Sequence, residues 1–332
     1  MEQKGTGLRS IDLLLLQFIQ FPSLLFVCLF ISSRAHGINF SALRELKCLR
    51  EIQHVNVIGL IDAYAADAVL HLVLDLCIGD LKDIIKDRTI LLSPSDIKSY
   101  IHMTLQGVEH MHSHFILHRD MKPDNLLIGA DKQIKIADFG LAVYAGTPRP
   151  LTADVVTSWY RCPELFLGAR HYSYGVDMWS VGCIFAELII RSPLFETSSD
   201  SAIEHLSKIF NLLGTPNENN WKDVKLLPNY IEFEHRNPLD ITELLKFQQP
   251  ETKELLLGML ALNPLNRMSA NDSLHHSYFI NGCIRTKNTD LVLGEMEKKI
   301  DGDNTKDVNN STNPSKVLIE TPSKVARVGE LR

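Results

Sequence analysis

The sequence predicts an α+β chain of two unequal lobes, the second mostly helical. Strand-like runs fall early, between residues 57 and 74, and recur as a short pair between 126 and 136, whereas helical periodicity fills most of the remainder. A length of 332 residues fits about two lobes of ordinary size. Hydrophobic residues make up 45% and charged residues 22%, which is usual for a globular chain. The net charge of −6 argues against direct nucleic-acid binding, which normally needs a basic domain. The six cysteines (Cys28, Cys48, Cys77, Cys162, Cys183 and Cys283) show no close pairing, so free thiols are expected rather than a disulfide frame or zinc site. Cys162 and Cys183 sit in apolar or motif segments and are expected to pack.

Residues 1–31 stand apart. Ile11 to Ile31 is apolar except for Asp12, Gln17, Gln20, Pro22 and Ser23. Its length suits a signal peptide or a membrane anchor, but Asp12 and Pro22 interrupt it. An incorrectly assigned start, a signal or anchor, and a helix of the core all remain open.

Ser41 to Gln53 places Leu43, Leu46, Leu49 and Ile52 three residues apart, the stripe of an amphipathic helix. Val57–Ala65 and Val69–Leu74 read as a hairpin. Ser93 is the expected N-cap of a helix with Pro94 in its first turn, and Ile97, Tyr100, Ile101, Leu105, Val108 and Met111 continue its buried face. Leu126–Ile128 and Gln133–Ile136 are short strands around a turn at residues 129–132. Val176–Ile190 is apolar almost all round, the mark of a central helix. Further helices are expected at Ala202–Leu213, Glu251–Leu260 and Ala270–His276, the last with Ser269 and Asp272 spaced as a capping box. From residue 283 the chain turns polar and reads as a disordered tail.

Three motifs carry the chemistry: His118-Arg119-Asp120-Met121-Lys122-Pro123-Asp124-Asn125, then Asp138-Phe139-Gly140, then Val155-Val156-Thr157-Ser158-Trp159-Tyr160-Arg161-Cys162-Pro163-Glu164. Their order is that of protein kinases, whose phosphoryl transfer needs positioning and charge neutralisation above all. Asp120 is the expected acceptor or orienter of a substrate hydroxyl's proton. Lys122 would meet the transferring phosphate. Asn125 and Asp138 offer hard oxygens suited to Mg²⁺. Arg119, and with it Arg44 on the first helix, could pair with a phosphorylated loop residue and couple loop order to the site.

With these residues in view, the chain from about Ser33 to Phe279 resembles the cyclin-dependent kinases. Within that family it looks most like the branch that activates other cyclin-dependent kinases and belongs to general transcription factor H. The match runs through GINFSALRELKCLREIQHVNVIGLIDAY, the segment from Leu91 to Ile128, and ADFGLAVYAGTPRPLTADVVTSWYRCPELFLGARHYSYGVDMWSVGCIFAEL. The resemblance implies a bilobal protein-kinase-like fold with a partial small lobe at 32–77, a helical large lobe at 78–282 and a tail at 283–332. It implies ATP and Mg²⁺ as cofactors, with Leu74 bordering the adenine pocket, Asp75 and Cys77 presenting backbone groups to it, Asp80 near the ribose and Leu127 as its floor. Ser41–Gln53 would be the cyclin-contacting helix and carry Glu45. Thr152 and Thr147 match activating phosphosites. Val155, Val156, Thr157 and Arg161 resemble a platform selecting proline after the target residue, with Thr157 completing the catalytic set. Glu164 would pair with Arg267, and Asp177 would bond the catalytic loop. An H-type cyclin, an assembly factor, other cyclin-dependent kinases and the tail of RNA polymerase II are the implied partners and substrates, in the nucleus and cytoplasm.

Departures accompany the match. Val143 stands where the family has a cation, Ser158 where the subfamily has a larger basic residue, and Cys162 in place of Ala. No glycine-rich loop and no VAIK-like lysine precede Glu45. The strands covering ATP are therefore expected to be absent, leaving the 57–74 hairpin with an unpaired edge. A silent cyclin-binding scaffold is the alternative that this gap suggests, and a membrane-anchored relative is a third.

Overall fold

Strands from distant parts of the chain build the small lobe, whereas neighbouring segments build most of the large one. The computed structural model describes residues 17–21, 24–31, 40–66, 69–146, 151, 157–243, 245, 248–296 and 326–327. In the small lobe these are β1 (Gln17–Phe21), β2 (Leu24–Ile31), α1 (Phe40–Glu51), β3 (Leu60–Ala66) and β4 (Val69–Leu74). β5 (Cys77–Asp80), α2 (Leu81–Lys86) and α3 (Pro94–Ser113) enter the large lobe. The catalytic region holds β6 (Ile116–Leu117), β7 (Leu126–Gly129), β8 (Ile134–Ile136) and β9 (Val143–Tyr144). Then come α4 (Pro163–Phe166), α5 (Gly175–Ile190), α6 (Ala202–Leu213), α7 (Pro250–Met259), α8 (Ala270–Leu274) and α9 (Ser277–Ile280), with β10 (Ala326–Arg327) last.

The small-lobe sheet runs β1-β2-β4-β3-β10, with all its pairs antiparallel. This corrects two expectations. The described residues of the apolar segment are not helical: 17–21 and 24–31 are strands, and β2 covers the β4 edge from Val27↔Leu74 to Ile31↔Leu70. The expected bare edge of the hairpin is thus paired. The physical reason lies in composition: Phe18, Ile19, Phe21, Phe26, Val27, Phe30 and Ile31 favour strands, and Pro22 in mid-segment forbids a continuous helix. No helix among the described residues is long and apolar enough to cross a membrane.

Helix α1 buries Ala42, Leu46, Cys48 and Leu49 beside Glu45, with Ile52 just past its end. Leu43, expected in the buried stripe, is exposed instead together with Phe40, because the 3.6-residue period turns residue 43 away from 42, 45, 46 and 49. Strand β3 begins at Leu60 rather than Val57. The residues before it pair elsewhere: Ile58 N–H donates to Ile136 O (2.9 Å) and Ile136 N–H to Asn56 O (3.0 Å), stitching the small lobe to β8. At the same place α3 passes so close that a Cβ on Gly107 would lie 2.5 Å from Asn56 O, which explains a glycine in mid-helix.

Ser93 caps α3 in a complete capping box with Asp96, worth about 1 kcal/mol. Helix α5 is buried almost throughout, with Trp179 and Phe185 fully enclosed. Cys162 and Cys183 are buried thiols raised well above their usual range by desolvation, which suits packing rather than reactivity.

The tail departs from expectation as well. Residues 283–296 pack on the large lobe. The buried ammonium of Lys98 donates to Asn281 O (2.8 Å) and Cys283 O (2.9 Å). Ser99 Oγ donates to Thr286 O (2.8 Å), and Leu291, Leu293 and Met296 join the core. A polar composition hid three anchors spaced along a short apolar thread. The remaining tail lies outside the described residues apart from 326–327.

Candidate active site

The loop from His118 to Asn125 is held from beneath by the first turn of α5. Asp177 accepts the backbone N–H groups of His118 (2.9 Å) and Arg119 (2.8 Å), and His112 Nε2 donates to the same carboxylate (3.0 Å). Burial alone would raise the Asp177 carboxyl, but His112, His118 and the Arg119 N–H outweigh it and hold it below the usual range. This clamp supports Arg119 in a left-handed backbone conformation, φ 67°. His118 Nε2 donates to Ala137 O (2.9 Å) while its Nδ1 accepts the Asp120 N–H (3.2 Å), so one imidazole ties this loop to the residue preceding Asp138.

Three predicted residues converge on Asp120. Lys122 Nζ lies 2.6 Å from Asp120 Oδ2, and Asn125 Nδ2 donates to Asp120 O (2.8 Å) and Oδ2 (3.2 Å). On the other oxygen, Thr157 donates through its N–H and its hydroxyl, both at 3.2 Å, and Lys122 also reaches Thr157 Oγ1 at 3.4 Å. The carboxylate is thus aimed by groups from two segments 37 residues apart in sequence. A substrate hydroxyl entering here would meet an oriented proton acceptor beside a cation.

Asp138 is set by its own left-handed backbone (φ 65°), and its Oδ1 accepts the Gly140 N–H at 3.3 Å. Asn125 O accepts the Ala137 N–H (2.9 Å), which brings the Asn125 and Asp138 backbones alongside one another. One carboxylate and one amide oxygen fit Mg²⁺, an ion that usually takes one or two protein oxygens together with phosphates and waters.

Across the cleft, α1 brings Glu45 against Asp138. Burial first, and the Asp138 charge second, push the Glu45 carboxyl up to about 7, the Phe139 N–H opposing them. Glu45 forms no ion pair among the described residues, and β2, the strand beside β4, contains no lysine. Its neighbour Arg44 donates Nη1 to Gly140 O (2.6 Å), as does Ser41 Oγ (3.0 Å). Arg119 Nε donates to the next carbonyl, Leu141 O (2.8 Å), and its Nη1 to Tyr172 Oη (2.9 Å). The two arginines expected to meet a phosphorylated residue therefore converge on one turn. Thr147, Thr152, Val155 and Val156 lie outside the described residues. Val143 pairs with Leu117 in β9·β6, so the position lacking a cation serves as a strand.

At the hinge Leu74 is buried and Asp75 N–H donates to Gly59 O (3.1 Å). The Asp75 carboxylate accepts the Gly59 N–H (3.0 Å) and pairs with Lys135 (3.0 Å). Burial pushes the Cys77 thiol up to about 12, Lys135 opposing, which leaves it protonated. Asp80 caps α2 by accepting the Asp83 N–H (2.9 Å), and its register partner across β5·β7 is Leu127. Leu74 and Asp75 thus precede β5 directly, and Cys77 and Asp80 on β5 pair with Gly129 and Leu127 of β7. Farther off, Glu164 and Arg267 make a buried bidentate pair (2.7 and 3.0 Å), and Arg267 also donates to Gly175 O (2.6 Å). Ser158 Oγ donates to Asp200 Oδ1 (3.0 Å) at the surface.

Several supports of the site carry no mark in the sequence. His112, Tyr172, Ser41 and Lys135 lie outside the three motifs, and nothing in their spacing marks them. His118 lies inside one, and its place before Arg119-Asp120 was signal enough to ask what its ring holds.

The geometry defines a phosphotransferase site, and comparison with known proteins agrees. A protein kinase domain model matches residues 29–279. The chain is 46% identical over 263 residues to cyclin-dependent kinase 7 of Dictyostelium discoideum, covering 79% of this chain and 72% of that protein. It is 45% identical over 247 residues to the serine/threonine-protein kinase KIN28 of Saccharomyces cerevisiae, covering 73% and 80%. Among solved structures, the CAK complex of Chaetomium thermophilum bound to ATP-γ-S aligns with a TM-score of 0.78 and 40% identity over 82% of this chain and 87% of that one. The chain belongs to the protein kinase family, as a serine/threonine kinase of the cyclin-dependent type.

Proposed function

We propose that this kinase transfers the γ-phosphoryl group of Mg²⁺-bound ATP to Ser or Thr followed by proline, on other cyclin-dependent kinases and on the Ser-Pro repeats of the RNA polymerase II tail, when bound to an H-type cyclin. The observation that carries the reading is the Asp120 carboxylate, held at once by Lys122, Asn125 and Thr157. Asp120 orients the acceptor hydroxyl and takes up its proton at a carboxylate oxygen, while Lys122 stabilises charge on the moving phosphoryl group. Bound Mg²⁺, held by Asn125 and Asp138, would neutralise phosphate charge. Leu74, Asp75, Cys77, Asp80 and Leu127 bind the nucleoside end. Arg44 and Arg119, already on one turn, supply the cations that a phosphate on Thr152, with Thr147 as a second site, would engage.

The exposed Phe40 and Leu43 on α1 suit a cyclin partner, which an assembly factor could secure. A nuclear location goes with these substrates. The large lobe at 78–282 supplies the chemistry and residues 32–77 supply the regulated helix.

The test is transfer of labelled phosphate by the full chain co-purified with an H-type cyclin. Substrates are a peptide of repeated Ser-Pro units, its Ser-Ala counterpart and an intact cyclin-dependent kinase. Labelling of the first and third but not the second is expected. Labelling of none, by a complex that binds ATP, would sink the proposed activity.

A further inference from the structure

The strand β5, which carries Cys77 and Asp80, is backed by the C-terminal segment. Beyond α9 the chain crosses α3: Thr286 N–H donates to Ser95 O (3.3 Å), Thr286 Oγ1 to Asp96 (2.5 Å), and Arg285 Nη1 to His102 Nδ1 (2.6 Å). It then runs to the β7–β8 turn, where Lys132 Nζ donates to Thr289 O (3.3 Å) and Leu291 O (2.7 Å). Leu291 and Leu293 are buried. Gly294, at φ +59°, turns the chain so tightly that a Cβ there would lie 2.6 Å from Asp87 Oδ2 and 2.9 Å from Ile90 Cδ1. That turn delivers Met296, only 6% exposed, to β5. A Cβ on Gly79 would lie 2.0 Å from the Met296 sulfur and 3.2 Å from its Cγ. Gly79 lies between Cys77 and Asp80 on the strand that carries both.

From this fit we propose that Met296 is a positioning residue for nucleotide binding: seated on Gly79, it fixes β5 and so the placement of Cys77 and Asp80. The inference rests on the nucleotide reading given above. Its physical basis is rigidity. A thioether seated on a strand that has no side chain at the contact fills the space a side chain would take and so holds the strand in place, and a misplacement of about 1 Å at a binding group can cost up to about 10²-fold. Met296 acts through Gly79 and need not touch the ligand. The role also explains why a polar segment is anchored at three successive places: each anchor shortens the free path to residue 296.

The experiment is a three-variant cycle on the full chain with its cyclin: Gly79→Ala, Met296→Ala, and the two combined. Affinity for Mg²⁺-ATP is read by displacement of a fluorescent ATP analogue, and hydrogen exchange is read over residues 77–80 and 289–296. Gly79→Ala, whose methyl strikes the sulfur, is expected to weaken ATP binding about tenfold and to speed exchange in both segments. Met296→Ala should weaken it about threefold. The double variant, in which the shortened side chain makes room for the methyl, should bind as Met296→Ala does rather than worse than Gly79→Ala. Wild-type ATP affinity in Gly79→Ala, or strictly additive losses in the double variant, would overturn the proposal while leaving the nucleotide site intact. A wild-type complex that binds no ATP would instead overturn the nucleotide reading and this one together. Changed exchange at 289–296 with unchanged affinity would reduce Met296 to a structural contact and also refute the role.

Discussion

Asp120 and Glu45 face the same cleft from opposite lobes, and their surroundings could hardly differ more. Asp120 meets an ammonium at 2.6 Å, an amide and a threonine that donates twice. Glu45 faces another carboxylate, is nearly as buried, and has only the Phe139 N–H in its favour. The large lobe therefore presents charge that is already balanced, whereas the small lobe presents charge that must be balanced by a proton or by something that binds. Readiness is built into one lobe; dependence on conditions is concentrated in the other.

The sharpest way to break the contrast is Asp120→Asn. It removes the oriented acceptor and should lower phosphate transfer by about 10²–10⁴-fold. ATP affinity of the complex should hold, since the side chain binds the loop and Thr157 rather than the hinge. Measured turnover and ATP affinity together check this; a variant that loses affinity instead would place Asp120 in binding.

Next in size is the large lobe's own internal balance. Arg267→Met strands the buried Glu164 carboxylate and should cost about 3–5 kcal/mol in denaturant unfolding, because the uncompensated charge remains inside. Combining it with Glu164→Leu should recover much of the loss. If the double variant is as unstable as the single one, packing rather than charge holds that corner.

The small lobe is probed by pH. With its folded value raised to about 7 from 4.5, Glu45 binds its proton more tightly in the folded protein. Its contribution is whole below about 4.5 and is lost as pH climbs toward 7. Glu45→Gln should flatten that decline, with a gain above pH 7 of at most about 3 kcal/mol, measured without nucleotide or metal. Glu187, also pushed up to about 7 by burial, titrates over the same range, so the difference between wild type and variant is the quantity to read. Identical slopes would show that Glu45 is neutralised by a group from elsewhere.

The smallest effect concerns a support remote from the cleft. Ser93→Ala removes the α3 cap and should cost about 1 kcal/mol in unfolding, with transfer rates unchanged.

How far the sequence could be read follows the same division. The cores of α3, α5 and α6 were legible because their periodicity is local, and the meeting of Lys122 and Asn125 with Asp120 because all three fall within one short motif. Residues 17–21 and 24–31 misled because an apolar run cannot show its partner: β2 pairs with β4, some 45 residues on, and β1 pairs with β2. Residues 283–296 misled because composition averages over anchors, and Lys98, which holds their start, lies on α3. Leu43 misled by one position on a helix whose period is not an integer. His112 and Tyr172 were invisible because their partners, Asp177 and Arg119, lie 65 and 53 residues away.

Gly107 carries a consequence for how the halves of the molecule move. Helix α3 and the carbonyl of Asn56 meet there backbone to backbone, with Ile136 closing the third side. A joint with no side chain between its surfaces can act as a fulcrum but not as a sliding bearing. Opening and shutting of the cleft is therefore expected as rotation about this point, and a single added methyl at residue 107 would wedge the hinge pin.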